Sequence, residues 1–292
     1  MSRFEFDAIG TSCEIDTPTP LCHQTRRQIL ELVERFDRNY SRFRDDSLIT
    51  KIAEAEHGGT FVFPAGAAQM FDLYDRLHKI TGGGLDPLVG RDLELLGYDR
   101  RYSLVPQPAE VSTYASKRTS WGSDVFRQGS TLITRSPLLI DLGAVGKGHL
   151  VDLISGVLGV RGLEDFVVDG SGDMLHRGEA ALGVGLEHPF DPTKVVGVAH
   201  LRDASLCASA VNRRKWGDNL HHILDARTGR PVKDVVATWV VAKDAATADG
   251  LATALFVVPA SRLVPSFDFS FVRMFADGRA EVSDNFDGEA FT

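Results

Sequence analysis

The sequence predicts an α+β fold. Apolar residues alternate with period two at 4–9 and 12–16, which indicates a pair of strands, whereas residues 24–43 carry apolar side chains at helical spacing. The later helices and strands follow no steady strand–helix rhythm, which disfavours a doubly wound parallel sheet. No internal repeat of fixed period is visible in the chain.

Further elements follow in chain order. Ser47 is suited to N-cap a short helix through Ile52, and Pro64 is suited to open a longer helix that ends at the glycines of 82–84. A polar connection is expected over 106–123. Strands are expected at 130–134, 138–141, 166–169, 195–201, 237–242 and 267–275, and helices at 146–158 and 246–257.

Composition restricts the classes of protein to consider. The 292 residues are 43% hydrophobic and 25% charged, which is typical of a globular chain with a large core. No Ser/Pro/Gly-rich linker divides the chain, so one domain over residues 1–292 is expected. The net charge of −8 disfavours non-specific nucleic-acid binding.

The cysteines and the N-terminus bear on location. Cys13, Cys22 and Cys207 cannot all pair with one another, so buried thiols in a reducing compartment are the simplest expectation. The N-terminus shows no signal-peptide zones, and no apolar run is long enough for a membrane span. A cytoplasmic protein is expected, unless an export segment has been removed.

A carboxylate and a hydroxyl lie four residues apart in the apolar stretch 248–254, at Asp249 and Thr253. Positions i and i+4 share one face of a helix, so these side chains present two hard oxygens to one point. Mg²⁺ prefers one or two protein oxygens, completed by water and substrate phosphates. The pair therefore indicates a Mg²⁺ site, although a helix cap at Asp249 and a core threonine at Thr253 explain the same spacing.

Residues 141–149 read as a strand end, a glycine-rich turn and a helix start around Lys147. Small residues let a ligand approach the backbone, free helical N–H groups attract phosphate, and the lysine adds a positive charge. The segment suits a nucleotide, although its order is neither that of a P-loop nor that of a Rossmann turn. A plain strand-to-helix turn with a solvated lysine is the alternative.

Two later segments are candidates for ligand contact. Gly170 and Gly172 permit positive φ or a close approach by an isoalloxazine or ribose, with a tight hairpin as the competing account. His222 belongs to the polar cluster 221–229 and is a candidate for proton transfer, although a lone histidine is usually structural. On a strand His221 would point the opposite way, so the two are not expected to act together.

Two earlier positions are less specific. Asp86 precedes a proline, which favours extended or turn geometry, and it is either a site residue or only a loop terminator. Arg42 follows Ser41 where the first long helix closes. It either meets a phosphate or pairs with Asp45 or Asp46 at the surface, and the surface pair is the simpler expectation.

Taken in order, these segments resemble the ApbE family of FAD:protein FMN transferases. After a start at residues 8–11, the six matching segments are 41–43, 84–90, 141–152, 169–173, 221–229 and 248–256, which together span nearly the whole chain. One such match is weak, and six in the family's order are specific. The resemblance implies a T-fold-like α+β architecture with mixed or antiparallel sheets and packed helices.

The resemblance also implies an activity. Members of the family bind FAD with Mg²⁺ across the pyrophosphate, release AMP and join the FMN phosphate to a Thr or Ser hydroxyl of a target flavoprotein. Carried onto this chain, Asp249 and Thr253 hold the metal with a carbonyl near Ala144, and His222 deprotonates the acceptor hydroxyl, so that His222 and Asp249 are the catalytic residues. The implied FAD contacts are Ser41, Asp86, Lys147, Asp152, Gly170, Gly172, Ser209 and His222.

The chain departs from the family pattern at several positions. Ser171 separates two usually adjacent glycines, Ala210 and Ala226 replace a usual glycine and proline, and Ala53 stands near a usual asparagine. These changes affect the expected balance between transfer and hydrolysis. An FAD pyrophosphatase giving AMP and FMN and an FAD-binding or storage protein without turnover stay as alternatives to the transferase. The sequence does not indicate which acceptor protein is modified.

Overall fold

The computed structural model describes residues 1–217 and 219–291. Over these residues the helices are α1 (His23–Tyr40), α2 (Leu48–Ala53), α3 (Ala67–Thr81), α4 (Gly90–Leu95), α5 (Pro108–Ala115), α6 (Trp121–Asp124), α7 (Gly146–Val160) and α8 (Ala245–Ala254), with short 3-10 turns at Pro87–Val89 and Ala260–Arg262. The strands are β1 (Ser2–Ala8), β2 (Thr11–Thr17), β3 (Gly59–Val62), β4 (Val125–Gln128), β5 (Thr131–Thr134), β6 (Phe166–Asp169), β7 (Asp173–Arg177), β8 (Leu182–Glu187), β9 (Val195–Leu201), β10 (Ser205–Ala210), β11 (Lys215–Trp216), β12 (Leu220–His221), β13 (Leu224–Asp225), β14 (Arg230–Pro231), β15 (Val235–Ala242), β16 (Ser270–Phe275), β17 (Ala280–Val282) and β18 (Gly288–Ala290).

An eight-stranded sheet organises the molecule. Its order is β1-β2-β6-β7-β10-β15-β16-β17, and each pair of neighbours is antiparallel. Two three-stranded sheets, β18-β9-β8 and β3-β5-β4, and the short pairs β11-β12 and β13-β14 complete the strand pairing of the described residues. Helices combined with antiparallel sheets confirm the α+β prediction.

The eight-stranded sheet is covered on both faces. Alternating residues such as Ile15, Val168 and Val240 join the largest apolar cluster, which includes the buried faces of α1, α3, α7 and α8. Residues of the opposite parity, such as Leu206 and Trp239, pack with Leu186 and other side chains from β8 and β9. Period-two alternation along each strand therefore sends one set of side chains to the helices and the other to the small sheet.

The central helices α7 and α8 meet at unusually short range. A Cβ added at Gly148 would lie 2.1 Å from the carbonyl oxygen of Ala245, so the position has no room for a side chain. The first N–H groups of α8 are met by two carboxylates: Asp244 accepts from Thr247, and Asp152 on α7 accepts from Ala245 and Ala246. These bonds satisfy helical donors that would otherwise lack partners and fix α8 against α7.

Most long elements match the sequence prediction. The strand pair β1-β2, the helix α7 and the strands β6 and β9 lie within a residue or two of the expected bounds. Ser47 N-caps α2 by accepting from the backbone N–H of Thr50, as predicted. Gly82 ends α3 in the left-handed conformation, at φ 62°.

Several expectations are wrong. Residues 138–141 form no strand: Leu138 and Ile140 alternate into the core, but the Asp141 N–H donates to the carbonyl of Pro87 instead of a neighbouring strand. Helix α1 ends at Tyr40 and α3 begins only at Ala67, later than Pro64. The connection 106–123 contains α5 and the start of α6. The strands that were not predicted are β3, β4, β7, β8, β10, β11, β12, β13, β14, β17 and β18.

The cysteine expectation holds in part. Cys13 and Cys207 are buried free thiols, but Cys22 is exposed at the N-terminus of α1. Short strands and a surface cysteine carry little hydrophobic signal, so periodicity cannot place them.

Candidate active site

A cavity of about 400 Å³ opens at the end of the eight-stranded sheet where β2 begins, β6 turns into β7 and β10 ends. Helices α7 and α8 supply part of its wall. Nine of the eleven residues that the sequence singled out line this cavity: Asp86, Ala144, Lys147, Gly170, Gly172, Ser209, His222, Asp249 and Thr253. Residues up to 167 positions apart in sequence, Asp86 and Thr253, thus face one space.

Asp249 and Thr253 present oxygens from one face of α8. Asp249 is 1% exposed and lies in mid-helix, and since Asp244 is the N-cap, the alternative that Asp249 caps the helix is excluded. One Asp249 oxygen, Oδ2, accepts from the backbone N–H of Gly148 at 3.0 Å. Burial raises the pKa of Asp249, whereas the ammonium of Lys147 opposes that shift.

The donor set of this wall fits a small hard cation. A buried carboxylate, the half-buried Thr253 hydroxyl and the backbone at Ala144 are oxygen donors on one cavity, and a bound cation would stabilise the ionised form of Asp249. No group of three or more His, Cys, Asp and Glu side chains with metal-binding geometry occurs among the described residues. A cation bound at this wall would take its remaining ligands from substrate oxygens and water.

Lys147 is not a solvated surface lysine. Its ammonium contacts Oδ2 of Asp173 and lies 3.5 Å from Oδ1 of Asp249, while its side chain keeps 25% exposure on the cavity wall. Both carboxylates are almost fully buried, so the lysine is the most exposed member of this group. Sequence reasoning missed Asp173, which closes the segment 169–173 but looked like part of a turn.

Arg42 and Asp141 form a buried pair beneath the turn that precedes α7. Arg42 is 4% exposed and donates to Oδ2 of Asp141 at 2.5 Å and to the carbonyl of Tyr98 at 2.9 Å. Asp141 also accepts from the backbone N–H of Gly143, which lines the cavity. The expected surface pairing of Arg42 is therefore wrong.

The nearby surface carboxylates have other arginine partners. Asp45 is bound by Arg100 and Asp46 by Arg44, so neither is available to Arg42. The sequence distance of 99 residues between Arg42 and Asp141 explains why local reasoning favoured the wrong partner.

His222 and His221 separate as expected for neighbouring extended residues. His221 points into the protein, where its Nε2 lies 2.9 Å from the carbonyl oxygen of Val232, whereas His222 lines the cavity. Burial, with smaller effects from Arg214 and His221, lowers the pKa of His222 to about 3. Its Nδ1 is buried without a hydrogen-bond partner among the described residues. The imidazole is therefore neutral at physiological pH.

The turn between β6 and β7 is both a tight hairpin and a cavity wall. Ser171 and Gly172 have φ of 64° and 100°, and the Gly172 N–H donates to the carboxylate of Asp169. The Gly172 carbonyl accepts from Ala208, which brings the segment of Ser209 beside the same turn. The two accounts of the glycines are thus compatible, since the hairpin backbone itself lines the cavity.

Asp86 anchors a second wall of the cavity. Its carboxylate caps the 3-10 turn Pro87–Val89 through the Leu88 N–H and accepts from Ser120 and Trp121. Nδ1 of His78 lies 3.2 Å from Oδ2 of Asp86, and this nearby carboxylate raises the pKa of His78. Asp86 is therefore a structural anchor that also lines the cavity.

Two of the predicted FAD contacts, Asp152 and Ser41, lie outside this cavity. Asp152 does not line the cavity, and its carboxylate is occupied by the N-terminus of α8. Ser41 lines an adjoining cavity of about 630 Å³, which shares Asp141, Gly143 and Lys147 with the first. Asp152 thus acts on the site through α8, and Ser41 adjoins it.

Other cavity residues escaped the sequence reasoning. Tyr74 on α3 lines the cavity with a buried hydroxyl that has no partner among the described residues, and Arg214 lines both cavities. Tyr74 looked like one more apolar position of an amphipathic stripe. A separate concavity of about 970 Å³ holds Ala53, one of the departures from the family pattern, and none of the eleven predicted residues.

Comparisons with known proteins find matches over most of the chain. A model of the ApbE family matches residues 9–266. The FAD:protein FMN transferase of Vibrio cholerae is 29% identical over 248 residues, which cover 80% of this chain and 73% of that protein. The FAD:protein FMN transferase of Treponema pallidum is 27% identical over 287 residues, covering 88% of this chain and 78% of that one.

Solved structures share the fold. The ApbE protein of Thermotoga maritima superposes with a TM-score of 0.83 at 24% identity, covering 97% of each chain. The flavin transferase ApbE of Vibrio cholerae superposes with a TM-score of 0.79 at 23% identity, covering all of this chain and 97% of that one. Among the residues described here, no helix combines the length and the apolar character needed to cross a membrane.

Proposed function

Because this chain belongs to the ApbE family, we propose that it is an FAD:protein FMN transferase that uses Mg²⁺ and modifies a Thr or Ser hydroxyl of a flavoprotein. The observation that carries the proposal is the convergence of Asp249, Lys147 and His222 on one cavity of about 400 Å³. A carboxylate for a cation, an ammonium for phosphate and a neutral base are the groups that this reaction requires.

Lys147 and the start of α7 bind the pyrophosphate of FAD. The lysine ammonium is the most exposed member of a buried ionic group, and the segment 141–145 in front of α7 is anchored by the ion pair between Asp141 and Arg42. Phosphoryl transfer depends mainly on positioning and on neutralising charge at the phosphate oxygens. When bound at Asp249, Thr253 and the Ala144 carbonyl, Mg²⁺ supplies the remaining charge neutralisation and orients the phosphates.

His222 accepts the proton of the attacking hydroxyl. The acceptor oxygen bonds to the phosphorus of the FMN half, the phosphoanhydride P–O bond breaks, and the bond's electron pair leaves with AMP. The proton passes to His222 and then to solvent, so the histidine is regenerated. Since its pKa is lowered to about 3, the imidazole is unprotonated at the start of each turnover.

Product analysis tests the proposal. The protein is incubated with FAD and Mg²⁺, with and without a lysate of the source organism as acceptor, and the products are separated by chromatography. Transfer predicts AMP together with flavin that stays on protein after denaturation. AMP and free FMN in both samples would indicate a pyrophosphatase, and intact FAD after long incubation would indicate a storage protein.

A further inference from the structure

One ammonium is shared by two buried carboxylates at the edge of the cavity. Lys147 contacts Asp173 and lies 3.5 Å from Asp249, and the side chains of both acids are 1% exposed. The group therefore carries a net charge of −1 when all three side chains are ionised. Asp173 stands outside the cavity-lining residues, so it acts on a ligand through Lys147.

The second oxygen of Asp173 is left without a donor. Its Oδ1 is buried and has no hydrogen-bond partner in the described part of the chain, while the backbone carbonyl of Asp173 accepts from Gly170. A buried carboxylate with an open oxygen is costly unless a cation compensates it. The lysine is thus drawn toward Asp173, which has fewer other donors than Asp249.

Asp249 is suited to bind a cation only if Asp173 competes with it for the Lys147 ammonium. Without Asp173, Lys147 and Asp249 would form a neutral pair, and a neutral pair attracts a divalent cation weakly. Asp249 already receives one neutral donor, the Gly148 N–H, at Oδ2. Its Oδ1 lies 3.5 Å from the ammonium, whose closer contact is with Asp173, so this oxygen is only partly engaged by the lysine.

We propose that Asp173 is a positioning residue that draws the Lys147 ammonium toward itself and so prevents it from closing fully onto Asp249. Asp249 then keeps its negative charge for a divalent cation, and the ammonium stays on the cavity wall for the pyrophosphate. The inference rests on the proposed function for the identity of its two ligands, a divalent cation and a dinucleotide. A purely structural role for Asp173 would change stability without changing the two affinities in different ways.

The direct test is cation binding to Asp173→Asn without FAD. Mn²⁺ serves as the probe, measured by electron paramagnetic resonance and by calorimetry on the full chain. The variant is expected to bind Mn²⁺ about tenfold more weakly, since the freed ammonium neutralises Asp249. In EDTA it should bind FAD at least as tightly as the wild type, because one negative charge near the pyrophosphate is removed.

Two further variants keep the test decisive. Asp173→Glu should restore Mn²⁺ binding, because it keeps the carboxylate. Asp173→Ser provides a second neutral replacement, which decides the question where the asparagine disturbs the turn. Weaker binding of Mn²⁺ and of FAD together, with a lowered Tm, would indicate a structural role and overturn the proposal.

A Lys147→Met variant supplies the matched background in which Asp173→Asn is tested again. In Lys147→Met, the Asp173→Asn change should weaken Mn²⁺ binding by less than about threefold, since the ammonium through which Asp173 acts is gone. An equal loss in both backgrounds would overturn this inference alone. A wild-type protein that binds Mn²⁺ but leaves FAD intact in the presence of the acceptor lysate would refute the proposed transfer and spare the inference, whereas no Mn²⁺ binding at all would refute both.

Discussion

Asp249 combines near-complete burial with a charge that it must keep in order to bind a cation. Its surroundings supply the backbone N–H of Gly148 and the nearby ammonium of Lys147, both of which favour the ionised form against the effect of burial. The chemistry of the site thus depends on single side chains whose neighbours come from distant parts of the chain.

Replacing Asp249 by asparagine should abolish cation-dependent cleavage of FAD. The change keeps the shape and removes the charge, so turnover is expected to fall by roughly 100-fold or more with the fold intact. AMP release measured against Mg²⁺ concentration checks this, with circular dichroism for the fold. Asp244→Asn is the matched control, since it removes a charge from the same helix and asparagine caps equally well. Wild-type rates in Asp249→Asn would contradict the metal assignment.

His222 should act as a base without titrating in the usual range. His222→Asn is expected to reduce transfer by roughly 10²-fold or more while FAD still binds. With a pKa of about 3, the wild-type histidine is neutral from pH 5 to 8, so it contributes no acid limb to kcat/KM over that range. The control is His221→Gln, which affects a buried contact to Val232. An acid limb near pH 6.5 that disappears in His222→Asn would show that the imidazole is far more exposed than described here.

At the scale of elements, the site depends on the close approach of α7 and α8. Sequence periodicity predicted both helices, and the spacing of Asp249 and Thr253 predicted which face of α8 carries oxygens. It did not predict that Asp152 of α7 would bind the first N–H groups of α8. The wrong strand at 138–141 has a similar cause, because Asp141 satisfies its backbone through the distant Pro87 carbonyl.

A pair of glycine substitutions on α7 tests this packing. Gly148→Ala should lower the free energy of unfolding by about 1–3 kcal/mol, since its Cβ would meet the Ala245 backbone, and should also weaken cation binding by displacing α8. Gly156→Ala on the same helix meets no atom within 4 Å and should raise stability by about 0.4–1 kcal/mol. Denaturant unfolding measures both. Equal effects of the two substitutions would contradict the close packing of α7 and α8.

For the molecule as a whole, composition and hydrophobic patterning predicted the fold class, and the order of the motifs along the chain predicted the family. Nine of the eleven predicted site residues line one cavity, because strand ends, the start of α7 and one face of α8 meet at one end of the sheet. The sequence did not predict the roles of Tyr74, Asp173 and the Arg42–Asp141 pair, since these roles depend on neighbours far away in sequence.

The stability of the molecule should fall in mild acid because of His149. This histidine is packed against Phe36 and Tyr40, and burial lowers its pKa to about 4. The unfolded chain therefore takes up the proton first as pH falls below about 6.5. Stability from the neutral histidine is complete above that pH and is lost toward pH 4.

Substitution of His149 isolates its contribution to the free energy of unfolding. The free energy of unfolding of the wild type minus that of His149→Gln should be constant above pH 6.5 and decrease by up to roughly 1.4 kcal/mol per pH unit between pH 6 and 4. Urea titrations at each pH provide the values. Parallel curves for the two proteins would place the histidine in solvent.

Tandem mass spectrometry of the acceptor shows where the FMN phosphate goes. Proteins of a source-organism lysate are incubated with this protein, Mg²⁺ and FAD carrying an isotopically labelled isoalloxazine, then denatured and digested. For a transferase we expect a Thr- or Ser-containing peptide that carries labelled FMN through a phosphoester, together with an equal amount of AMP. Release of AMP with all labelled flavin free in solution would refute FMN transfer.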